Sequence, residues 1–273
     1  MSERMRVKPA PLIELRNVSK YYGDNRVLDG VSMTLERAQT KIIVGGSGSG
    51  KSTMLKLMMG LEKPDEGDVL IEGENVTRAD ERRMSLIRPR MGMVFQESGL
   101  FDSMTVFENV AYRLYEMGMD EEAIEEKVRR VLGFVGLVDA MSKMPSEISG
   151  GMKRRVSLAR ALVSEPKIML YDEPTAGLDP VTSRKINELI IGLRDVENVS
   201  GIFVTHRLRD AFTLATEYAV QKPGGGYRFV REDGTFCIAH TRFLMLHEGR
   251  IIFEGPDELL RKSDVPYIQK FIA

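Results

Sequence analysis

Alternating apolar and polar positions open the chain. Leu12-Ile13-Glu14-Leu15-Arg16-Asn17-Val18 and Val31-Ser32-Met33-Thr34-Leu35 carry the two-residue period of half-buried strands and predict antiparallel strands early in the fold. The pattern then changes to a short unbroken apolar run, Ile42-Ile43-Val44, which marks a strand buried on both faces. That strand, Lys41 to Val44, leads straight into a glycine-rich loop and a helix from Lys51 to about Met59. Ile168 to Tyr171 has the same buried character, and further strands are expected at Met91 to Phe95, Gly201 to Val204 and Arg242 to His247.

Between Gln96 and Glu165 the period lengthens. Ile124, Val128, Val131, Leu132 and Val135 fall on one helical face, and Glu125 and Arg129 stand at ion-pair spacing. Helical patterns return at Met152 to Leu162, Val181 to Arg194 and Leu208 to Thr216. Strands alternating with helices predict an α/β fold with a mainly parallel sheet core, an antiparallel β subdomain and an inserted helical subdomain. The expected organisation is one domain over 1–273. Its core spans 12–96 and 166–254, the helical insertion 97–165, and a helical tail 255–273.

Two segments stand apart. Met1 to Pro11 is basic and proline-flanked and reads as a loose tail. Pro223-Gly224-Gly225-Gly226 opens an odd segment, 222–241, in which Tyr227 to Val230 and Thr235 to Ala239 flank Glu232-Asp233-Gly234, a hairpin signal. It reads as an ornament on the sheet edge, with docking to a regulator or permease as the alternative. Met54, Met58 and Met59 recur at helical spacing behind the glycine loop as core filler.

Charge and composition narrow the class. With 39 Lys and Arg against 40 Asp and Glu, no global field draws the chain to nucleic acid or an anionic bilayer, and no nucleic-acid partner is expected. The single cysteine, Cys237, cannot close an internal disulfide, and no secretory signal opens the chain, so a cytoplasmic location is expected. No apolar run approaches the roughly 18 residues that cross a bilayer, so service to a membrane would be peripheral, on its inner face.

Candidate chemistry begins at Gly45-Gly46-Ser47-Gly48-Ser49-Gly50-Lys51-Ser52, which fits the phosphate-loop pattern. Its glycines let successive N–H groups turn toward phosphate oxygens, Lys51 reaches the β and γ phosphates, and Ser52 offers a hydroxyl to Mg²⁺. A flexible turn before an ordinary helix would share the composition, but the strand upstream and the helix downstream are the context the loop requires. Asp172 and Glu173 end the second buried strand, at the edge where open α/β sheets bind ligands. An Asp-Glu-Pro triplet can merely end a strand. Beside the loop, Asp172 is a candidate Mg²⁺ holder and Glu173 a general base toward water.

Ser149-Gly150-Gly151-Met152-Lys153 precedes a helical pattern and so forms an anion site at a helix N-terminus, although alone it is a helix cap with a turn. Together with the loop, Gln96, Asp172-Glu173 and His206 in that order, it resembles the nucleotide-binding subunit of the ATP-binding cassette (ABC) transporters over nearly the whole chain. The resemblance implies an ATPase with ATP and Mg²⁺ as cofactors. It also implies a homodimer in which Ser149, Gly150 and Gly151 clamp the γ-phosphate held by the opposite copy. In that scheme Gln96 touches Mg²⁺ and the attacking water, and His206 contacts the γ-phosphate. Thr53 joins the nucleotide site, Ala176-Gly177-Leu178-Asp179 couples the two sites, and Tyr22 stacks on adenine. Taken singly, a histidine after a strand is ordinarily structural, the Asp179 turn is a helix cap, and Tyr21 competes with Tyr22 for the aromatic position.

Within the family, the segments from Ser149 to Arg155 and from Gly99 to Val110 resemble the Mla/Mce lipid-transport ATPases. This implies a transmembrane permease, an Mce-type lipid-binding protein and a small regulatory subunit as partners, with Leu100, Phe101, Met104 and Phe107 facing the permease or packing within the helical lobe. Amino-acid, metal or drug transport is the alternative. Two departures stand out: Met152 replaces the usual glutamine of the signature, and Arg207 replaces the usual aspartate after the histidine. A soluble ABC ATPase is disfavoured because the chain carries neither a second cassette nor a long coiled-coil insertion. A phosphate-loop kinase would need no clamp from a second protomer.

Overall fold

The computed structural model describes residues 9–222, 227–231 and 240–273. In chain order the first elements are β1 (Ile13–Tyr22), β2 (Asn25–Leu35), β3 (Thr40–Val44), α1 (Lys51–Met58), β4 (Glu66–Ile71), β5 (Glu74–Asn75), α2 (Glu81–Ile87) and β6 (Met91–Val94). Then come α3 (Val106–Glu116), α4 (Glu121–Phe134), α5 (Gly150–Leu162), β7 (Ile168–Asp172), α6 (Pro180–Asp195), β8 (Ser200–Thr205) and α7 (Leu208–Thr216). The chain closes with β9 (Glu217–Gln221), β10 (Tyr227–Arg231), β11 (Thr241–His247), β12 (Arg250–Gly255), α8 (Asp257–Arg261) and α9 (Pro266–Ile272).

The central sheet has the order β12-β11-β3-β8-β7-β6 and is parallel from β11 to β6, with β12 antiparallel at one edge. The inner strands β3, β8 and β7 carry unbroken apolar runs because both of their faces are covered. Ile42 and Val44 of β3 join a core shared with α3 to α7, whereas Ile43 between them joins a second core with α1, α2 and the antiparallel sheet β2-β1-β4-β5. Met54, Met58 and Met59 are buried in that second core, as their spacing suggests.

Polar side chains set the helix starts. Thr105 and Glu108 form a reciprocal capping box at α3, and Asp120 caps α4 by accepting from Ala123 N at 3.0 Å. Asn109 is buried, and its amide binds Phe101 N, Phe101 O, Met104 O and Thr105 O, knitting the turn that enters α3. Glu125 and Arg129 form the expected pair at 2.8 Å.

Only the first arm of the expected 222–241 hairpin lies within the described residues. Tyr227–Arg231 does form a strand, but it pairs antiparallel with β9, Tyr227 opposite Gln221 and Arg231 opposite Glu217. Alternation marks the strand but not its β9 partner, 217–221. The Asp233-Gly234 turn, the arm 235–239, Cys237 and most of the opening tail lie outside the described residues.

Candidate nucleotide site

Strand register brings the chemistry to one edge of the central sheet. Val44 pairs with Thr205, Asp172 with Val204, and Val94 with Tyr171. The glycine loop, Asp172-Glu173, His206 and Gln96 therefore all follow the carboxyl ends of neighbouring strands, where α/β sheets bind ligands.

The loop turns tightly into α1. Gly50 is its N-cap at φ +101°, a left-handed conformation that strains any side chain. Gly45 is required for a different reason, because a Cβ there would lie 2.2 Å from the Leu246 carbonyl oxygen. Lys51 is buried, and its Nζ donates to Gly45 O at 2.9 Å and Gly46 O at 2.8 Å. Burial lowers its pKa, against the opposing fields of Glu173 and Asp172.

Ser52 Oγ donates to Asp172 Oδ1 at 2.9 Å, which joins the helix start to the end of β7. Burial raises the Asp172 carboxyl, and the Ser52 hydroxyl opposes that shift. This pair fits Mg²⁺, which keeps several waters and takes only one or two protein oxygens beside substrate phosphates. Loop amides, a buried lysine and a helix N-terminus likewise suit a polyphosphate.

Glu173 is buried and lies at φ +47°, a left-handed backbone that costs about 1 kcal/mol for a non-glycine residue. Its carboxylate accepts from His206 N at 2.9 Å and Thr205 Oγ1 at 3.1 Å, and Oε1 lies 2.7 Å from His206 Nδ1. The His206 side chain is 55% exposed.

Gln96 is exposed, and its segment is held from α5. Arg154 donates to Phe95 O, and Arg160 donates to Gly99 O at 2.8 Å and Ser98 O at 3.2 Å. Sequence reasoning missed both arginines. A signal existed for Arg154, which shares the buried i, i+4 stripe of α5 with Leu158 and Leu162. Tyr267 on α9 was also missed. Its hydroxyl accepts from Gly46 N at 3.3 Å, and its ring stacks on His247 at 3.6 Å.

Among the described residues, Ser149, Gly150, Gly151 and Asp179 share no hydrogen bond with Lys51, Asp172, Glu173 or His206. Ser149 caps α5 by accepting from Met152 N at 3.3 Å, and both Ser149 and Gly150 are exposed. Gly151 packs on α6, where an added Cβ would come within 2.5 Å of Thr182 Cγ2. Asp179 is exposed and accepts from Val181 N and Thr182 N. Ser47, Gly48 and Ser49 complete the loop, with Ser49 buried near Lys51 Nζ. Tyr22 is 44% exposed, and its hydroxyl binds Glu62 and also Thr53 of the loop's helix.

A phosphate loop on a parallel sheet, with a paired carboxylate and histidine at the adjacent strand ends, defines a phosphate-loop ATPase. The family described as ABC transporter matches residues 28–176, and the chain belongs to it. It is an ATP-hydrolysing cassette of that family and binds ATP with Mg²⁺. It is similar to the Arabidopsis thaliana chloroplastic protein trigalactosyldiacylglycerol 3, with 41% identity over 95% of this chain and 73% of that protein. It is 42% identical to the methionine import ATP-binding protein MetN of Rhizobium meliloti over 79% of this chain, but spans only 60% of that relative's length.

Among solved structures, the ATP-binding cassette MJ0796, dimeric and bound to ADP and Pi, superposes with a TM-score of 0.74 at 29% identity, over 89% of this chain and 98% of that one. The cbiO1 protein of Clostridium perfringens, part of the transporter complex cbiONQ, gives 0.74 at 25% identity over 96% and 98%. Cassettes of the family work as dimers with transmembrane permeases. Among the described residues no helix is long and apolar enough to cross a membrane.

Proposed function

We propose that the chain powers lipid transport through a membrane permease, with two copies closing around two ATP molecules. The observation that carries the lipid reading is the 41% identity over 95% of this chain to a relative whose name is that of a galactolipid. Methionine import is the second reading, supported by the 42% identity to MetN over a smaller share of the chain.

In this scheme the loop amides and Lys51 hold the phosphates, and Lys51 exchanges its two carbonyl partners for phosphate oxygen. Ser52 and Asp172, with Gln96, would hold Mg²⁺, which supplies charge neutralisation at the β and γ phosphates when bound. Glu173 accepts the proton of the attacking water, and His206 fixes its carboxylate and faces the γ-phosphate. Tyr22 stacks on adenine beside Thr53. Ser149, Gly150 and Gly151 serve the opposite copy's nucleotide, and Asp179 lies on the loop that couples the two sites. Exposed Phe101 and the half-buried Leu100, Met104 and Phe107 form the permease-facing surface on the inner side of the membrane. An Mce-type lipid-binding protein and a small regulatory subunit complete the assembly.

The test is mass spectrometry of proteins and lipids that copurify with tagged Glu173→Gln protein from native membranes, against a Lys51→Ala control. A permease with an Mce-type protein and enriched glycerolipid is the expected result. A permease with a solute-binding protein and no lipid enrichment would move the cargo to a small solute.

A further inference from the structure

Arg207 occupies a position where a cation is unexpected. It is the N-cap of α7 but makes no side-chain cap bond, and a positive charge there opposes the helix dipole. Helix capping therefore does not account for it.

Its guanidinium is occupied elsewhere. Nη1 donates to Thr175 O at 2.7 Å and to Ser183 Oγ at 3.2 Å, and Nε lies 3.3 Å from Asp210 Oδ2. Asp210 is buried and accepts from Thr175 Oγ1 at 2.7 Å and Asn187 Nδ2 at 2.8 Å. On the backbone side, Arg207 N donates to Thr205 Oγ1 at 3.0 Å, and that hydroxyl donates to Glu173 at 3.1 Å. Glu173 and Thr175 are thus both gripped from one three-residue segment, Thr205-His206-Arg207.

We propose that Arg207 is a positioning residue that fastens the histidine segment to the loop running from Glu173 to Asp179, so that displacement of His206 carries the dimer-facing loop with it. The proposal rests on the reading of Glu173 and His206 as the hydrolytic pair. Only a donor can hold the Thr175 carbonyl. An aspartate at 207 would offer no proton to it and would confront Asp210 with a like charge. Arginine's planar fork meets three acceptors at once, whereas lysine presents a single compact charge that can keep the carbonyl bond alone.

The test compares full-length wild type with Arg207→Ala and Arg207→Lys, measuring ATP affinity, Tm, kcat, KM and the Hill coefficient of hydrolysis. Arg207→Ala is expected to lower kcat by about tenfold, the scale of one charge-assisted hydrogen bond acting in the transition state. ATP affinity stays near wild type, Tm falls modestly because buried Asp210 loses its cationic partner, the Hill coefficient falls toward unity, and Arg207→Lys recovers part of kcat and Tm. An Arg207→Ala protein with unchanged kcat and cooperativity would overturn the proposal. So would a parallel fall of Tm, ATP affinity and kcat that lysine does not relieve, since that marks a structural role. Glu173→Gln assayed alongside separates the two readings: hydrolysis at the parental rate there removes the general base, whereas the response at 207 tests only the fastening.

Discussion

His206 meets Glu173 twice, through its backbone N–H at 2.9 Å and through ring Nδ1 at 2.7 Å, both on the same carboxylate oxygen. The backbone contact survives loss of the ring, so the two residues can be separated by mutation. Glu173→Gln should lower hydrolysis by about 10²-fold or more while retaining ATP and accumulating a dimer. His206→Ala should also slow turnover with little change in Tm, because its side chain is 55% exposed. Single-turnover assays with gel filtration in ATP read both outcomes, and parental hydrolysis by Glu173→Gln would refute the general-base assignment.

Asp172 gives a pH-dependent prediction. Burial raises its carboxyl above the ordinary 3.8, so the folded chain holds that proton more tightly than the unfolded chain does. The group's favourable contribution is complete below the ordinary value and is lost as pH rises through the raised one. At neutral pH the charged carboxylate therefore costs stability. Asp172→Asn should raise the Tm of nucleotide-free protein at about pH 7, with the gain narrowing toward about pH 4, while Mg²⁺-dependent hydrolysis is lost. A lower Tm at neutral pH would contradict this.

Gly151→Ala should destabilise the protein by about 1–3 kcal/mol, the usual range for overpacking, and slow hydrolysis. The added Cβ meets Thr182 Cγ2 at 2.5 Å, and Thr182→Ser deletes that methyl group. Adding Thr182→Ser should restore most of the loss in denaturant melts. Gly45→Ala has no such remedy, because its obstruction is the Leu246 backbone carbonyl.

Arg160→Met should loosen the segment around Gln96 without unfolding α5. It removes the donors to Ser98 O and Gly99 O, and a side chain of similar length preserves the apolar contacts. Amide exchange at 97–101 should accelerate about tenfold, with Gly150–Leu162 unchanged. Equal acceleration across both segments would indicate general destabilisation instead.

Much of the site was legible because its positions are local to strand ends. The runs Ile42-Val44 and Ile168-Tyr171 are apolar throughout, as strands covered on both faces must be, and the motif residues follow them directly. What escaped depends on contacts between distant segments. Alternation in Tyr227–Val230 carried no information about β9, and the pairing places the Tyr227 ring against Phe134 and over Gly192. Arg160 and Tyr267 act on backbone carbonyls and an amide, groups that every residue carries and no sequence pattern marks.

The order of strands in the central sheet has a consequence for how the chain is made. β3, which carries the phosphate loop, lies between β8 and β11, so Thr40 must wait for Gly201 and Thr241 before it has neighbours on either side. During synthesis the loop's strand precedes both of its partners, and its β11 side stays an open edge even after β8 has paired. Such long-range closure is slow. Nucleotide competence thus waits on β11, and a chain cut short before it would expose one edge of the very strand on which its catalytic loop is built.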